Sequence, residues 1–482
     1  MDARVRAACL AALVLTGPAV SGLSAIAAAG CQAPPPSPAA VPAAPSPAEI
    51  EGLLKARLGD HPGVGIVVGL LDAQGRRTIV VAGAASEGAT RPLDGRTVFE
   101  IGSITKVFTS TLLAEMVGRG EVALDQAVGT LLPGTVQVPS RNGRQITLVT
   151  LATHRSGLPR MPDNLAPKDP DNPYAGYGVD QLYAFLSRCQ LTRDVGEAYE
   201  YSNLGAGLLG HALALRLGRS YEDTLVDRVL TPLGMYDTRV TLSADQRVRL
   251  ASGHTESGYP TANWDIPTLA GAGALRSTAN DLLAFLAANL GGAPPSLRCA
   301  LDLTHVPRAD TGKLPGKIGL GWHIRTTPAG DLTWHNGGTG GYHSFAGFDA
   351  RRHVAVVVLH NSAASIDDLG FHLLDPTVPL AAPRPLSKPR AEVALGAEAL
   401  DELVGQYVLT PAFVLTITRE GTQLFLQATG QAKLPLFAES DTRFFLKAVD
   451  AQVTFVKGAG GRAEALVLHQ DGKDQRATRQ QP

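Results

Sequence analysis

A serine and a lysine three residues apart, Ser103 and Lys106 in FEIGSITK (99–106), are residue types from which a nucleophile and its base can be built. On a helix, positions i and i+3 share a face, so the two side chains stack. A serine in the first turn has its Oγ beside unpaired backbone N–H groups and the positive end of the helix dipole, where a developing oxyanion is stabilised. A lysine one turn on can accept the serine's proton once burial penalises its ammonium form. Alone the pattern is weak, because a helix-capping serine and a surface lysine produce it equally well.

The surrounding elements must therefore do the positioning. Ser46-Pro47-Ala48-Glu49 is a capping box with proline at the first helical position and predicts a helix through about Leu58. GVGIVVGLLDAQGRRTIVVAG (63–83) is two β-rich runs about AQGR, a hairpin. The helix carrying Lys106 runs to about Val117, where GRG stops it. From about 120 to 290 helical pieces dominate: VDQLYAFLSRC, GAGLLGHALALRLG and RSTANDLLAFLAANLG, the last opened by Ser277, Thr278 and Asp281. Strands return in IGLGWHIRT, DLTWHN, YHSFAGFDA and HVAVVVLHN, and SIDDLGFHLLD closes as a helix. One sheet then holds both ends of an α/β (α+β) layered domain with a helical insertion. PTVPLAAPRPLSKPRAEVAL (376–395) is a linker, and the short alternating strands beyond it predict an all-β domain of about 85 residues, sandwich or barrel.

The chain has 482 residues, 44% hydrophobic and 18% charged, enough for more than one domain with a sizeable core. Lys+Arg is 43 and Asp+Glu 44, a formal charge of -1, which lacks the electrostatic footprint of a nucleic-acid or anionic-membrane binder. MDARVR followed by CLAALVLTGPAVSGLSAIAAAG, interrupted by Pro18 and Gly22, reads as an export signal over residues 1–31 rather than a spanning helix. Ala-x-Ala sites at 25–29 suit an ordinary signal peptidase, while Ala28-Ala29-Gly30-Cys31 resembles a lipobox with alanine where leucine is usual. The mature protein is expected to be exported, free in the periplasm or tethered to the outer membrane by a lipid on Cys31. QAPPPSPAAVPAAPS (32–46) is an extended linker, 47–378 the first domain, 379–395 a second linker and 396–482 the all-β domain. In the folded part, export allows Cys189 and Cys299 to pair, but two buried free thiols are the favoured expectation, because a large core needs no staple. No spacing resembles a zinc site, and GGTGG (337–341) follows a strand with no helix after it, so no metal or cofactor is expected.

FEIGSITK closely resembles the active-site signature of class C β-lactamases and their penicillin-binding relatives, with threonine at 105 where serine or alanine is commoner. ALDQAV (123–128), LATHRSGLP (151–159), YEYSNLGAGLLG (199–210), LTPLGMYDT (230–238), AGAGALRSTANDL (270–282) and WHNGGTGGY (334–342) resemble the same family in the same order, over roughly residues 47 to 375. The resemblance implies an antiparallel sheet flanked by helices, a helical subdomain and three catalytic elements. The first is Ser103 with Lys106. The second is Tyr201-Ser202-Asn203, in which Tyr201 would relay protons to the leaving atom and Asn203 would bridge the lysine and the substrate amide. The third is usually Lys-Thr-Gly on an edge strand. Here it is matched by His335-Asn336-Gly337 and then Gly338, whose N–H would join that of Ser103 around the oxyanion. The glycine lets the strand approach a substrate closely. Histidine in place of lysine removes a fixed positive charge; related esterases and D-aminopeptidases also carry it. LVGQY (403–407) matches the start of a lipocalin-like domain that some family members append.

The resemblance implies an exported serine hydrolase that forms an acyl-enzyme on Ser103 from a small-molecule or peptide substrate: a β-lactam, a D-amino-acid peptide or an ester. D-alanyl-D-alanine carboxypeptidase, D-aminopeptidase and esterase are alternatives within the fold. A non-catalytic penicillin or wall-peptide sensor is the rival of a different class, and the three intact elements argue against it. His154 reads as a turn residue, Trp334 as packing and Asp281 as a cap, while Tyr342 and His343 read equally as cleft-lining or packing.

Overall fold

Ser46 caps helix α1 (Pro47–Leu58): its Oγ accepts the Glu49 N–H at 3.3 Å, and the Glu49 carboxylate accepts the Ser46 N–H at 2.7 Å. The computed structural model describes residues 45–59, 61–312, 316–328, 330–383, 390–431, 433–470 and 472–480. The export signal and Cys31 lie outside them. Strands β1 (Gly65–Leu71) and β2 (Arg77–Gly83) form the hairpin. A 3₁₀ turn (Gly102–Ile104) leads directly into helix α2 (Thr105–Gly118). Ser103 therefore sits in a tighter turn just before the α-helix rather than in its first turn. Gly102, at φ +47°, makes that turn.

The helical region follows with α3 (Val179–Arg188), α4 (Asn203–Leu217) and α5 (Ala279–Ala287). The chain then returns to the sheet in two short strands, β3 (Ala309–Asp310) and β4 (Lys317–Ile318), and in β5 (His323–Thr327), β6 (Gly330–Gly338), β7 (His343–Asp349) and β8 (Val354–His360). Helix α6 (Asp367–Leu374) closes the domain. The eight strands run in the order β2-β1-β8-β7-β6-β5-β4-β3, every neighbouring pair antiparallel. The first hairpin thus pairs with the last strand.

Alternation along β1 and β8 divides the core into two layers. Val67, Val357 and Leu359 face helices α2 and α5, against Phe108, Leu283 and Phe285. Val68, Val356 and Val358 face α1 and α6, against Ile50, Leu54 and Leu369. Both faces are covered, so the strands read as continuous apolar runs.

The C-terminal strands, from Gly405–Thr410 to Lys473–Arg479, close into an eight-stranded antiparallel barrel filled by Tyr407, Leu415, Val453, Phe455 and Leu466. The barrel rests on the loop 255–264 of the first domain. Phe445 stacks on Tyr259 at 5.7 Å, and the Arg390 N–H donates to the Tyr259 hydroxyl at 2.5 Å.

The two cysteines are not core residues. Cys189, at the end of α3, is a free, half-buried thiol, whereas Cys299 is exposed and disulfide-bonded, not the free thiol expected. Cys299 lies on a helix, Pro295–His305, that turns Leu297, Ala300, Leu301 and Thr304 inward, which leaves position 299 on the outer face.

Candidate active site

Lys106 lies at the centre of the site with its side chain buried. Its Nζ is 2.8 Å from Ser103 Oγ, 2.9 Å from Asn203 Oδ1 and 2.7 Å from the carbonyl oxygen of Ala272. Burial, and then the charge of Arg160, hold its pKa well below the ordinary lysine value. A neutral amine has two N–H donors and one lone pair. Two of the three partners are carbonyl oxygens that only accept, so they take the two N–H groups. With Lys106 neutral, the lone pair would be left for the Ser103 hydroxyl to donate into. The three-residue spacing of Ser103 and Lys106 survives the switch from 3₁₀ to α geometry, because both helices bring i and i+3 together.

Tyr201 and Asn203 reach the lysine from α4. Ser202 is the N-cap of that helix, its Oγ accepting the Gly205 N–H at 2.8 Å, so Tyr201 stands just outside the helix and Asn203 opens it. The Tyr201 ring lies 4.7 Å from Lys106 Nζ. Burial raises the Tyr201 pKa, and a hydrogen bond with Ser103 only partly opposes it, so the phenol is neutral.

Strand β6 pairs with β5 only over Gly330–Trp334, so His335–Gly338 keep one edge unpaired. That edge packs on the Ser103 turn: a Cβ on Gly337 would stand 1.9 Å from the Ile101 carbonyl oxygen, and one on Gly102 2.8 Å from the Gly338 nitrogen. Ser103 and Gly338 therefore border the same open cleft of about 310 Å³, which is also walled by Tyr174, Asn203, Trp264 and Leu269.

His335 is not on the cleft surface. Its side chain is fully buried behind Tyr201, the rings 6.2 Å apart, and its Nδ1–H donates to the Asn336 carbonyl at 2.5 Å. Burial, then the neighbouring His323 and Lys106, keep it neutral. The Asn336 amide donates to Asp367 Oδ2 at 2.6 Å, and Gly337 is buried.

A ring of aromatic groups that sequence reasoning did not collect surrounds Tyr201. His154 lies against it at 4.4 Å and accepts the Ser202 N–H on Nδ1 at 3.1 Å. His154 is the turn residue expected, at φ +55°, a conformation that costs on the order of 1 kcal/mol for a non-glycine residue. Its backbone thus aims the ring at the start of α4. His323 packs on His335 at 5.0 Å and shares a hydrogen bond with the Tyr199 hydroxyl at 2.9 Å. Tyr199 and His323 belong to no local pattern and meet across 124 residues of sequence. Tyr342 is packing, not cleft: it is fully buried and donates to the Ala251 carbonyl at 2.5 Å. Trp334 packs on Phe371 and Phe345, and Asp281 accepts from the Thr238 hydroxyl and the Asp237 N–H.

The buried histidines give stability a pH dependence. Burial lowers the pKa of His323 and His305 to about 4 and that of His360 to about 3. The unfolded chain binds these protons near pH 6.5, so their contribution is complete above that pH and is lost as pH falls towards 4. Each histidine contributes on the order of 1.4 kcal/mol per pH unit in that window. Asp281, raised to about 6 by burial, and Glu100, also raised by burial, oppose them. The urea midpoint is expected to drop between pH 7 and pH 5; a flat midpoint would contradict neutral burial of these rings.

Comparison with known proteins agrees with this architecture. The Beta-lactamase family profile matches residues 50–373, and a domain of unknown function, DUF3471, matches residues 389–479. The D-alanyl-D-alanine-carboxypeptidase/endopeptidase AmpH of Escherichia coli is 30% identical over 326 residues, covering 63% of this chain and 83% of that protein. Penicillin-binding protein 4* of Bacillus subtilis is 26% identical over 428 residues, covering 82% and 91%. Among solved structures, a class C β-lactamase from Rhodobacter sphaeroides is 27% identical and superposes with a TM-score of 0.57 over 66% of this chain and 94% of its own. A class C β-lactamase in complex with cefoxitin is 26% identical, with a TM-score of 0.58 over 67% and 96%.

Proposed function

The chain belongs to the β-lactamase family and is a serine hydrolase, and on that premise we propose that it cleaves an amide or ester carbonyl through an acyl-enzyme on Ser103. Ser103 Oγ attacks the carbonyl carbon as its proton passes to the neutral Nζ of Lys106. The N–H groups of Ser103 and Gly338 hold the oxygen as it gains charge. The tetrahedral adduct collapses, and the leaving nitrogen or oxygen takes a proton through the Tyr201 hydroxyl. Asn203 orients Lys106 and can reach a substrate amide. Water then attacks the ester, releasing the acid and restoring Ser103. The observation that carries this reading is the place of the buried Lys106 Nζ, 2.8 Å from Ser103 Oγ with Asn203 Oδ1 and the Ala272 carbonyl as its other partners.

The substrate class is a β-lactam or a related amide or ester. D-alanyl-D-alanine peptides are the second reading, favoured by the identity to the carboxypeptidase/endopeptidase relative. Residues 1–31 support export, with the Cys31 sulfur as the atom that would carry a lipid. Among the described residues no helix is long and apolar enough to cross a membrane.

The test is hydrolysis of a chromogenic cephalosporin, an N-acyl-D-alanyl-D-alanine peptide and a p-nitrophenyl ester by the full chain and by Ser103→Ala. At least one is expected to turn over about 10³-fold faster with Ser103 present. Equal rates in the variant would remove Ser103 as nucleophile. A lasting adduct with no turnover would make the protein a sensor.

A further inference from the structure

We propose that the C-terminal barrel takes part in substrate binding without touching the substrate: through Tyr259 it fixes the cleft wall at Trp264. Tyr259 is then a positioning residue for any substrate group that lies along that wall. The inference rests on the Ser103 acyl-enzyme reading and adds a determinant of its substrate.

Among the described residues, those that border the cleft all belong to the first domain. The barrel can therefore reach the cleft only through what it touches. It touches the loop 255–264, and the last residue of that loop, Trp264, walls the cleft. The grip on the loop comes from consecutive barrel residues. The Phe445 ring lies 10° from parallel to the Tyr259 ring, with centroids 5.7 Å apart. The Lys447 ammonium is 5.5 Å from the centre of the same Tyr259 ring. The Ser257 hydroxyl reaches the Leu446 carbonyl at 3.5 Å, and the Arg390 N–H donates to the Tyr259 hydroxyl at 2.5 Å. Within the loop, Thr255 N–H donates to the Tyr259 carbonyl at 2.7 Å and Tyr259 N–H to Thr255 Oγ1 at 3.2 Å. Tyr259 thus belongs to a closed, hydrogen-bonded turn that moves as a unit.

The other end of the loop is clamped to both sides of the catalytic centre. Trp264 N–H donates to Glu100 Oε1 at 2.9 Å, three residues before Ser103. The Asn263 amide donates to the Tyr342 hydroxyl at 2.8 Å. A Cβ on Gly340 would stand 2.8 Å from Trp264 Nε1, and one on Gly341 2.8 Å from Thr261 Cγ2. These glycines form the turn that follows Gly338, and their lack of a side chain lets the loop lie directly on it. Trp264 is half-buried and meets the Tyr174 ring, another part of the cleft wall, at 5.2 Å. A loop released at Tyr259 shifts this wall. Ser103 and Gly338, held by α2 and β6, stay in place, so large ligands lose affinity and small ones keep it.

The experiment measures dissociation constants of the full chain by boron NMR titration for two compounds that form a tetrahedral adduct on Ser103: methylboronic acid, which is too small to fill the cleft, and 2-naphthylboronic acid, which fills it. In Tyr259→Ala the naphthyl constant is expected to rise about five- to tenfold, since coupling cannot exceed the worth of the contact removed and about tenfold is the upper range for one aromatic pair. Methylboronic acid is expected to stay within about twofold. Tyr259→Phe keeps the stacked ring and is expected to restore the naphthyl constant, a rescue that a general loss of stability would not show. Phe445→Leu, made in the barrel and away from the cleft, is expected to reproduce the selective loss and gives a second reading if Tyr259→Ala does not fold. Equal losses for the two compounds, or a naphthyl-to-methyl ratio that moves less than about twofold in both Tyr259→Ala and Phe445→Leu, overturn the barrel's role. If methylboronic acid still forms its adduct on Ser103 in those cases, only this inference fails. If neither compound forms an adduct, or both bind Ser103→Ala as well as the unaltered chain, the Ser103 reading fails and the barrel's role with it.

Discussion

Replacing Lys106 with methionine will reduce kcat/KM by about 10³- to 10⁴-fold, the range associated with loss of a positioned general base. Methionine has nearly the length and volume of the lysine stem, so the buried channel stays filled. It has no lone pair able to take the Ser103 proton, and serine is a weak nucleophile without one. The variant will also lose stability, because Asn203 Oδ1 and the Ala272 carbonyl each lose the donor that Lys106 provides. Leaving a buried acceptor unsatisfied costs about 1–3 kcal/mol. Measurements of kcat/KM and of the thermal midpoint separate the two effects. A variant within tenfold of the unaltered enzyme would show that the base lies elsewhere. Arginine is no substitute: a guanidinium stays charged when buried and cannot accept the proton.

Gly337→Ala will cost both structure and activity. The added methyl would stand 1.9 Å from the Ile101 carbonyl oxygen and 2.6 Å from Ser344 Oγ, distances no relaxed contact allows. The Ser344 hydroxyl itself donates to that carbonyl at 2.9 Å, so the contact cannot be relieved without breaking the bond that ties β7 to the Ser103 turn. The strand must withdraw, carrying the Gly338 N–H away from Ser103. Overpacking of this kind costs about 1–3 kcal/mol, and a displacement near 1 Å at a reacting centre costs on the order of a hundredfold in rate. Gly338→Ala is the control for stability, since its methyl meets nothing nearer than His343 Nδ1 at 4.0 Å. A Gly337→Ala enzyme with unaltered melting and rate would mean that the strand does not fix the oxyanion site.

The parts of this molecule written in local patterns were legible in the sequence. The Ser46–Glu49 capping box starts α1, and the apolar runs about AQGR pair as the first hairpin. Ser103 and Lys106 meet because their spacing is a helical one. The return of the late strands to the early hairpin followed from their apolar runs, and β8 does pair with β1. What local pattern could not carry was the origin of the third partner of Lys106, a backbone carbonyl at Ala272, since an accepting carbonyl has no side-chain signature. Nor could it carry the meeting of Tyr199 with His323, or of His343 with Asp367, because these depend on how distant elements pack. The place of His335 was also hidden. Motif order located it on the strand, but its rotation towards Tyr201 is decided by the apolar and aromatic groups behind it. The 3₁₀ turn at Ser103 begins at Gly102, where a Cβ would stand 2.8 Å from the Gly338 nitrogen, a proximity between segments more than two hundred residues apart.

The most direct measurement is the mass of the intact protein, quenched at intervals after mixing with a chromogenic cephalosporin and, separately, with a p-nitrophenyl ester, followed by peptide mapping. The account predicts a transient adduct of acyl mass on the peptide that contains Ser103, absent in Ser103→Ala and strongly slowed in Lys106→Met. An adduct that maps to another residue, or turnover that proceeds in Ser103→Ala at the unaltered rate, would contradict it.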